Sequence, residues 1–75
     1  MGHGRSRNGT LTARQHEILG LLSEGLTNEA ISRKLFLSPK TVGHHVEAIL
    51  ERLGAKSRTE AVFIARQRQL LELGP

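Results

Sequence analysis

A chain of 75 residues holds one small domain at most, and a domain of that size buries only roughly 60% of the surface its unfolded chain exposes. Its 37% hydrophobic content is that of a globular domain, but the aromatics are reduced to Phe36 and Phe63, which disfavours the exposed stacking platforms that single-stranded nucleic acids require. The absence of cysteine excludes disulfides and thiolate metal sites; the net charge of +4 invites a polyanion, but Arg5 and Arg7 lie in the opening stretch, and beyond it nine basic residues face seven glutamates, a balance of +2.

Residues 1–9 contain three glycines and no aliphatic residue beyond Met1, too little apolar surface to order a segment. Residues 1–10 are therefore expected to be a flexible leader or linker, with the domain itself at 11–73. A basic arm that touches phosphates is a second reading of the same stretch. Thr12 with Gln15 three residues later has the form of a capping box, preceded by Leu11 as a candidate hydrophobic staple. Apolar residues recur at Ile18, Leu19 and Leu22, and Gly25 supplies a stop, so a first helix is expected over 13–24.

Thr27 is an N-cap for a short second helix over 28–35, in which Ile31 and Leu35 stand one turn apart. Ser38 followed by Pro39 opens a third helix, since serine is a favoured N-cap and proline suits the first helical position. Its buried stripe is Val42, Val46, Ile49, Leu50 and Leu53, and Gly54 closes it, giving a helix over 39–53. Ser57 with Glu60 forms a second capping box, opening a fourth helix over 58–71. Ala61 and Ala65 face the core on it, and Phe63, Arg66 and Leu70 follow i, i+3, i+7 spacing on the other side. A second apolar stripe with an exposed phenylalanine points to a partner helix, with scattered surface hydrophobes as the bland alternative. The chain contains no strand signal, repeat or low-complexity tract.

A short helix, a turn of three or four residues and a longer helix with one buried stripe make the pattern of a helix-turn-helix, although a plain helical bundle fits the periodicity equally well. The residues go further. Leu11, Thr12, Arg14, Glu17, Ile18 and Leu19; Glu24 to Glu29 with Ile31; Leu37 to Val42 with His45; Leu53 and Gly54; and Ser57 to Ala61 are successive blocks that resemble the LuxR-type (LuxR/FixJ/GerE) output domain. The resemblance runs from about Leu11 to Leu70, with five blocks in order at matching separations.

It implies an all-α, four-helix LuxR-type domain in which helices 2 and 3 form the helix-turn-helix and helix 4 mediates dimerisation. It also implies sequence-specific binding of double-stranded DNA as the output domain of a bacterial transcription regulator, with helix 39–53 in the major groove. The positions that match the family's base-contacting residues are Gly43, His44 and Glu47. The chain departs from the family at Gly43 and Glu47, where a basic or long polar residue is common. Glycine has no side chain to read a base; it either lets the backbone approach DNA or is a tolerated surface residue. Glu47 can accept from cytosine N4 but also repels phosphate.

Phosphate contacts position such a domain and supply most of its salt-dependent affinity. Candidates are Thr27 and Asn28 before helix 2, Lys40 and Thr41 at the start of helix 3, and Lys56, Ser57 and Arg58 before helix 4. His45 sits beside the buried stripe and reads as a half-buried packing residue within reach of a phosphate. Arg14, Arg33 and Lys34 are weaker candidates. The bland reading is a solvated charge for each cation, and capping alone for Thr27 and Ser57. Dimer-contact candidates are Phe63, Arg66 and Leu70. Adjacent histidines point about 100° apart on a helix, so His44 and His45 argue against a metal site, and nothing calls for a cofactor.

Competing readings are a sigma-factor-like promoter-reading domain and a protein-interaction bundle. An enzyme is disfavoured, because the chain has no cysteine, no aspartate and no serine–histidine–acid set that the helices would bring together. A phosphoacceptor aspartate cannot lie within these residues either, so a sensing or receiver domain would lie upstream. No apolar run approaches the ~20 residues of a membrane span, and the expected location is the cytoplasm.

Overall fold

The computed structural model describes residues 11–71, and the proposed leader lies outside them. Within that range the chain forms α1 (Ala13–Ser23), α2 (Asn28–Leu35), α3 (Pro39–Leu53) and α4 (Arg58–Gln67). No strand occurs among the described residues. The bounds of α2 and α3 are those the capping residues predict; α1 ends one residue short of the expected position.

Every helix starts in the same way. The hydroxyls of Thr12, Thr27, Ser38 and Ser57 accept from the backbone N–H groups of Gln15, Ala30, Thr41 and Glu60 at 3.0, 3.1, 3.0 and 3.1 Å. Each therefore satisfies one of the backbone donors that a helix start leaves open. At α1 the box is complete, because Gln15 Oε1 also accepts from the Thr12 N–H at 3.0 Å. That pairing satisfies the carbonyl oxygen of the buried Gln15 side chain. At α4 the expected box is displaced by one residue: Glu60 Oε1 accepts from the Lys56 N–H at 2.6 Å instead of that of Ser57. Leu11 is buried with the core, and the fourth residue of α1, against which a staple would pack, is the exposed His16.

Every helix also ends in one way. The chain turns through a left-handed residue, at Gly25, Phe36, Gly54 and Gln69 in turn. Past each turn a backbone N–H reaches back five residues: Leu26 to Leu21, Leu37 to Ser32, Ala55 to Leu50 and Leu70 to Ala65, at 3.2, 2.9, 2.9 and 2.8 Å. These are Schellman closures, which satisfy carbonyls the helix itself cannot. Glycine tolerates the left-handed region freely, so Gly25 and Gly54 are natural stops. Phe36 and Gln69 adopt it at a steric cost.

Gln69 also explains a departure from the sequence reading. The fourth helix was expected over 58–71, but the chain leaves the helix after Gln67 and turns at Gln69, φ 58°. Leu70 therefore no longer follows Phe63 and Arg66 along one helical stripe; it packs, partly buried, against the core.

The core is built around α3, which packs on α1, α2 and α4, while α1 also meets α4. Val42, Val46, Ile49 and Leu53 from α3 close on Ile18, Leu19, Leu21 and Leu22 from α1, Ile31 from α2, and Ala61 and Ala65 from α4. Leu50, expected in the same stripe, is at its margin and half buried. The two alanines let α4 come close to its neighbours. This arrangement fixes both faces of α3: one is consumed by the core, and the other is left for something else.

Candidate nucleic-acid interface

Residues four, seven and eleven apart fall on one side of a helix. Opposite its buried stripe, α3 exposes Lys40, His44, Glu47 and Glu51 at that spacing. Gly43 and His45 flank this stripe and are half buried, as expected for His45. Glu51 was not among the sequence candidates: the family resemblance singled out His44 and Glu47, and helical spacing extends their row to it. The stripe is thus mixed in charge, one lysine against two carboxylates, so a polyanion is not held by net charge on this helix alone.

Gly43 has no steric reason within the domain to be glycine. A Cβ there would meet only Asn28 Nδ2, at 3.8 Å, an ordinary contact. That contact places the start of α2 against the second turn of α3. Asn28 in turn accepts at Oδ1 from Arg58 Nη2 at 3.0 Å. Candidates from α2, α3 and α4 that are widely separated in sequence therefore meet at one point.

The capping hydroxyls of Thr27 and Ser57 are occupied as acceptors but retain their own hydrogens. Thr27 and Ser57 can cap a helix and still donate to a phosphate oxygen, so the two readings of these residues are compatible. At α3 the Ser38 hydroxyl donates to Thr41 Oγ1 at 2.9 Å, which leaves the Thr41 hydroxyl hydrogen directed elsewhere. Lys40, Lys56 and Arg58 are exposed, and Lys40 and Lys56 make no ion pair among the described residues. Arg14 is engaged with Glu17 at 3.2 Å on the exposed side of α1. Arg33 and Lys34 lie in the last turn of α2, away from the end that meets α3 at Gly43.

On α4, Phe63 is 60% exposed and Arg66 is exposed beside it. Leu70 is separated from them by the turn at Gln69. Among the described residues no group of three or more His, Cys, Asp or Glu side chains is placed to hold a metal ion, and no helix is long and apolar enough to cross a membrane.

Comparison with known proteins agrees with this geometry. The family model described as bacterial regulatory proteins, luxR family, matches residues 9–65. The DNA-binding transcriptional activator DevR/DosR of Mycobacterium tuberculosis is 46% identical over 57 residues, which covers 76% of this chain and 26% of that protein. The crystal structure of ChrA, a response regulator in a heme-sensing two-component system, superposes with a TM-score of 0.80 at 44% identity, over 83% of this chain and 31% of that one. VqmA of Vibrio cholerae, a LuxR-type receptor solved as a dimer in the absence of its target DNA, superposes with a TM-score of 0.81 at 31% identity, over 100% of this chain and 33% of that one. The chain thus spans about a quarter to a third of the length of these relatives. The chain belongs to the luxR family of bacterial regulatory proteins, as a four-helix, LuxR-type helix-turn-helix DNA-binding domain.

Proposed function

We propose that this domain reads specific sites on double-stranded DNA as the output domain of a cytoplasmic transcription regulator, with the first two exposed turns of α3 in the major groove. The observation that carries the reading is the geometry of α3. Its inner stripe is consumed by the core, its outer stripe of Lys40, His44, Glu47 and Glu51 is free of it, and the start of α2 abuts it at Gly43. A helix held in this way by a shorter partner presents its N-terminal half to base edges.

Residue roles follow from their chemistry. His44 donates to a base and Glu47 accepts from cytosine N4, while Gly43 lets the backbone come close. Lys40, Lys56 and Arg58 contact phosphates, joined by Thr27, Thr41, His45 and Ser57, and Asn28 takes part through the Arg58 guanidinium that it accepts from. The working unit is residues 11–73, with 1–10 as a leader or linker and a sensing or receiver domain upstream; the response regulator ChrA, of which this chain covers 31%, supports that reading. It binds as a homodimer, a state that the dimeric VqmA relative supports, with Phe63 and Arg66 on α4 as the contact and half-sites about one helical turn apart. Leu70 contributes by shaping the end of that face. The family match weighs against the sigma-factor-like and interaction-bundle alternatives, and the domain carries out no catalysis.

Binding-site selection from randomised DNA, followed by affinity measurements across a salt series, tests this reading. Lys40→Ala is expected to weaken binding at all sequences and to lower the slope of log K against log salt by about 0.9, the value of one phosphate contact. Glu47→Ala is expected to change preference at one base pair. Selection of the same site by both proteins would remove Glu47 from base reading, and an unchanged slope would remove Lys40 from the phosphate contacts.

A further inference from the structure

The elements that surround α3 are joined on this side by side chains. Asn28, the first residue of α2, is half buried, and its Oδ1 accepts from Arg58 Nη2 at 3.0 Å across a separation of 30 residues. The other end of the same carboxamide, Nδ2, faces Gly43, 3.8 Å from where a Cβ would stand. One carboxamide therefore lies between the cation that opens α4 and the part of α3 from which no side chain projects. A longer residue at 43 would rise over that carboxamide. Glycine leaves it open.

An exposed arginine is long and samples many rotamers, and ordering it on a phosphate costs conformational entropy. A hydrogen bond made before DNA arrives removes part of that cost, because the group is already held in one direction. The guanidinium has five N–H donors in a planar fork, so after giving one to Asn28 it retains the others for a phosphate. Asn28 is uncharged, so by itself it adds nothing to the release of counterions; Arg58 does.

We propose that Asn28 is a positioning residue, which holds Arg58 beside Gly43 in its DNA-bound direction so that the two act as one phosphate contact. This rests on the proposed DNA-binding function. Within it, the pair supplies a fixed cation beside the point where the recognition helix has no side chain of its own.

A double-mutant cycle tests the proposal. The probe is a fluorescein-labelled duplex obtained by selection with the unmodified domain, titrated by fluorescence anisotropy over a salt series with the parent domain, Asn28→Ala, Arg58→Ala and the double variant. Both substitutions keep the N-caps Thr27 and Ser57, and alanine is the best helix former, so the fold is retained. Arg58→Ala is expected to weaken binding about tenfold and lower the salt slope by about 0.9. Asn28→Ala is expected to weaken binding roughly three- to tenfold in the parent and less than about twofold once Arg58 is gone, the non-additivity of groups that work through one another. Its salt slope should fall between those of the parent and Arg58→Ala.

Equal losses from Asn28→Ala in both backgrounds, with an unchanged slope, would show that Asn28 acts on DNA or on the fold directly and would overturn the proposal. So would an Arg58→Ala domain that binds as tightly as the parent. If the parent domain itself shows no affinity for DNA at low salt, the DNA-binding function falls and this proposal with it, an outcome seen before any variant is made.

Discussion

Helices α3 and α4 begin alike, each capped by a serine hydroxyl, and end alike, each closed by a backbone N–H that reaches back five residues. They differ in what they bury and in the residue at the closing turn. The inner face of α3 carries Val42, Val46, Ile49 and Leu53, whereas the fully buried positions of α4 are the small Ala61 and Ala65. At the turn α3 has Gly54 and α4 has Gln69. Thus α3 is anchored on one side by large aliphatic side chains, with its outer face fixed as a consequence, and α4 is a closely seated cover whose outer face carries Phe63. The same local motifs frame two helices with different outer faces, and the depth of burial separates them.

The largest expected effect probes that depth. Ile49 is fully buried, and Ile49→Ala should destabilise the domain by about 2–5 kcal/mol, most or all of what so small a domain has. On α4, Ile64 is only half buried, so Ile64→Ala should cost roughly half as much or less. Urea unfolding followed by circular dichroism measures both. Equal costs would mean that α4 is anchored as deeply as α3.

The closing turns give effects of opposite sign. Gly54→Ala forces a Cβ into φ 68° and should destabilise by about 1–2 kcal/mol, although nothing stands within 4 Å of the added atom. Gln69→Gly relieves the same strain at φ 58° and should stabilise by up to about 1 kcal/mol. Phe36→Asn should act in the same direction, since Phe36 combines φ 60° with a side chain 93% exposed, which contributes little packing. A loss of stability in either of these two variants would show that the left-handed residue makes a contact that outweighs its strain.

Glycines inside helices give the smallest effects and separate stability from function. A Cβ at Gly20 meets nothing within 4 Å, and one at Gly43 meets only Asn28. Gly20→Ala and Gly43→Ala should each stabilise by about 0.5–1 kcal/mol. Only Gly43→Ala should also change DNA affinity. If the two variants bind DNA equally, Gly43 is a tolerated surface glycine and backbone approach at that point is excluded.

These elements also show what could be read from sequence. Thr27, Ser38 with Pro39, and Gly54 are local signals whose physics is complete within a few residues, so the bounds of α2 and α3 followed from them. The end of α4 did not, because its stop is a glutamine in a conformation that glycine usually marks, while Leu70 and Leu71 continue an apolar spacing. The displaced capping contact, Glu60 with the Lys56 N–H, depends on how the chain enters the helix, which spacing does not encode. On the outer face of α3, the family resemblance singled out His44 and Glu47, and helical spacing extends their row to Glu51. The meeting of Asn28, Gly43 and Arg58 was out of reach, because it is set by how three helices pack and by no motif in any one of them.

The central claim is that DNA meets the outer face of α3 and the starts of α2 and α4. Amide chemical-shift changes in the ¹⁵N-labelled domain, on adding a selected duplex at low salt, test it most directly. The largest changes are expected at Thr27, Asn28, Lys40 to Glu47 and Lys56 to Arg58, with Arg14 and Glu17 on α1 nearly unmoved. Changes centred on α1, or no change at any residue, would contradict it.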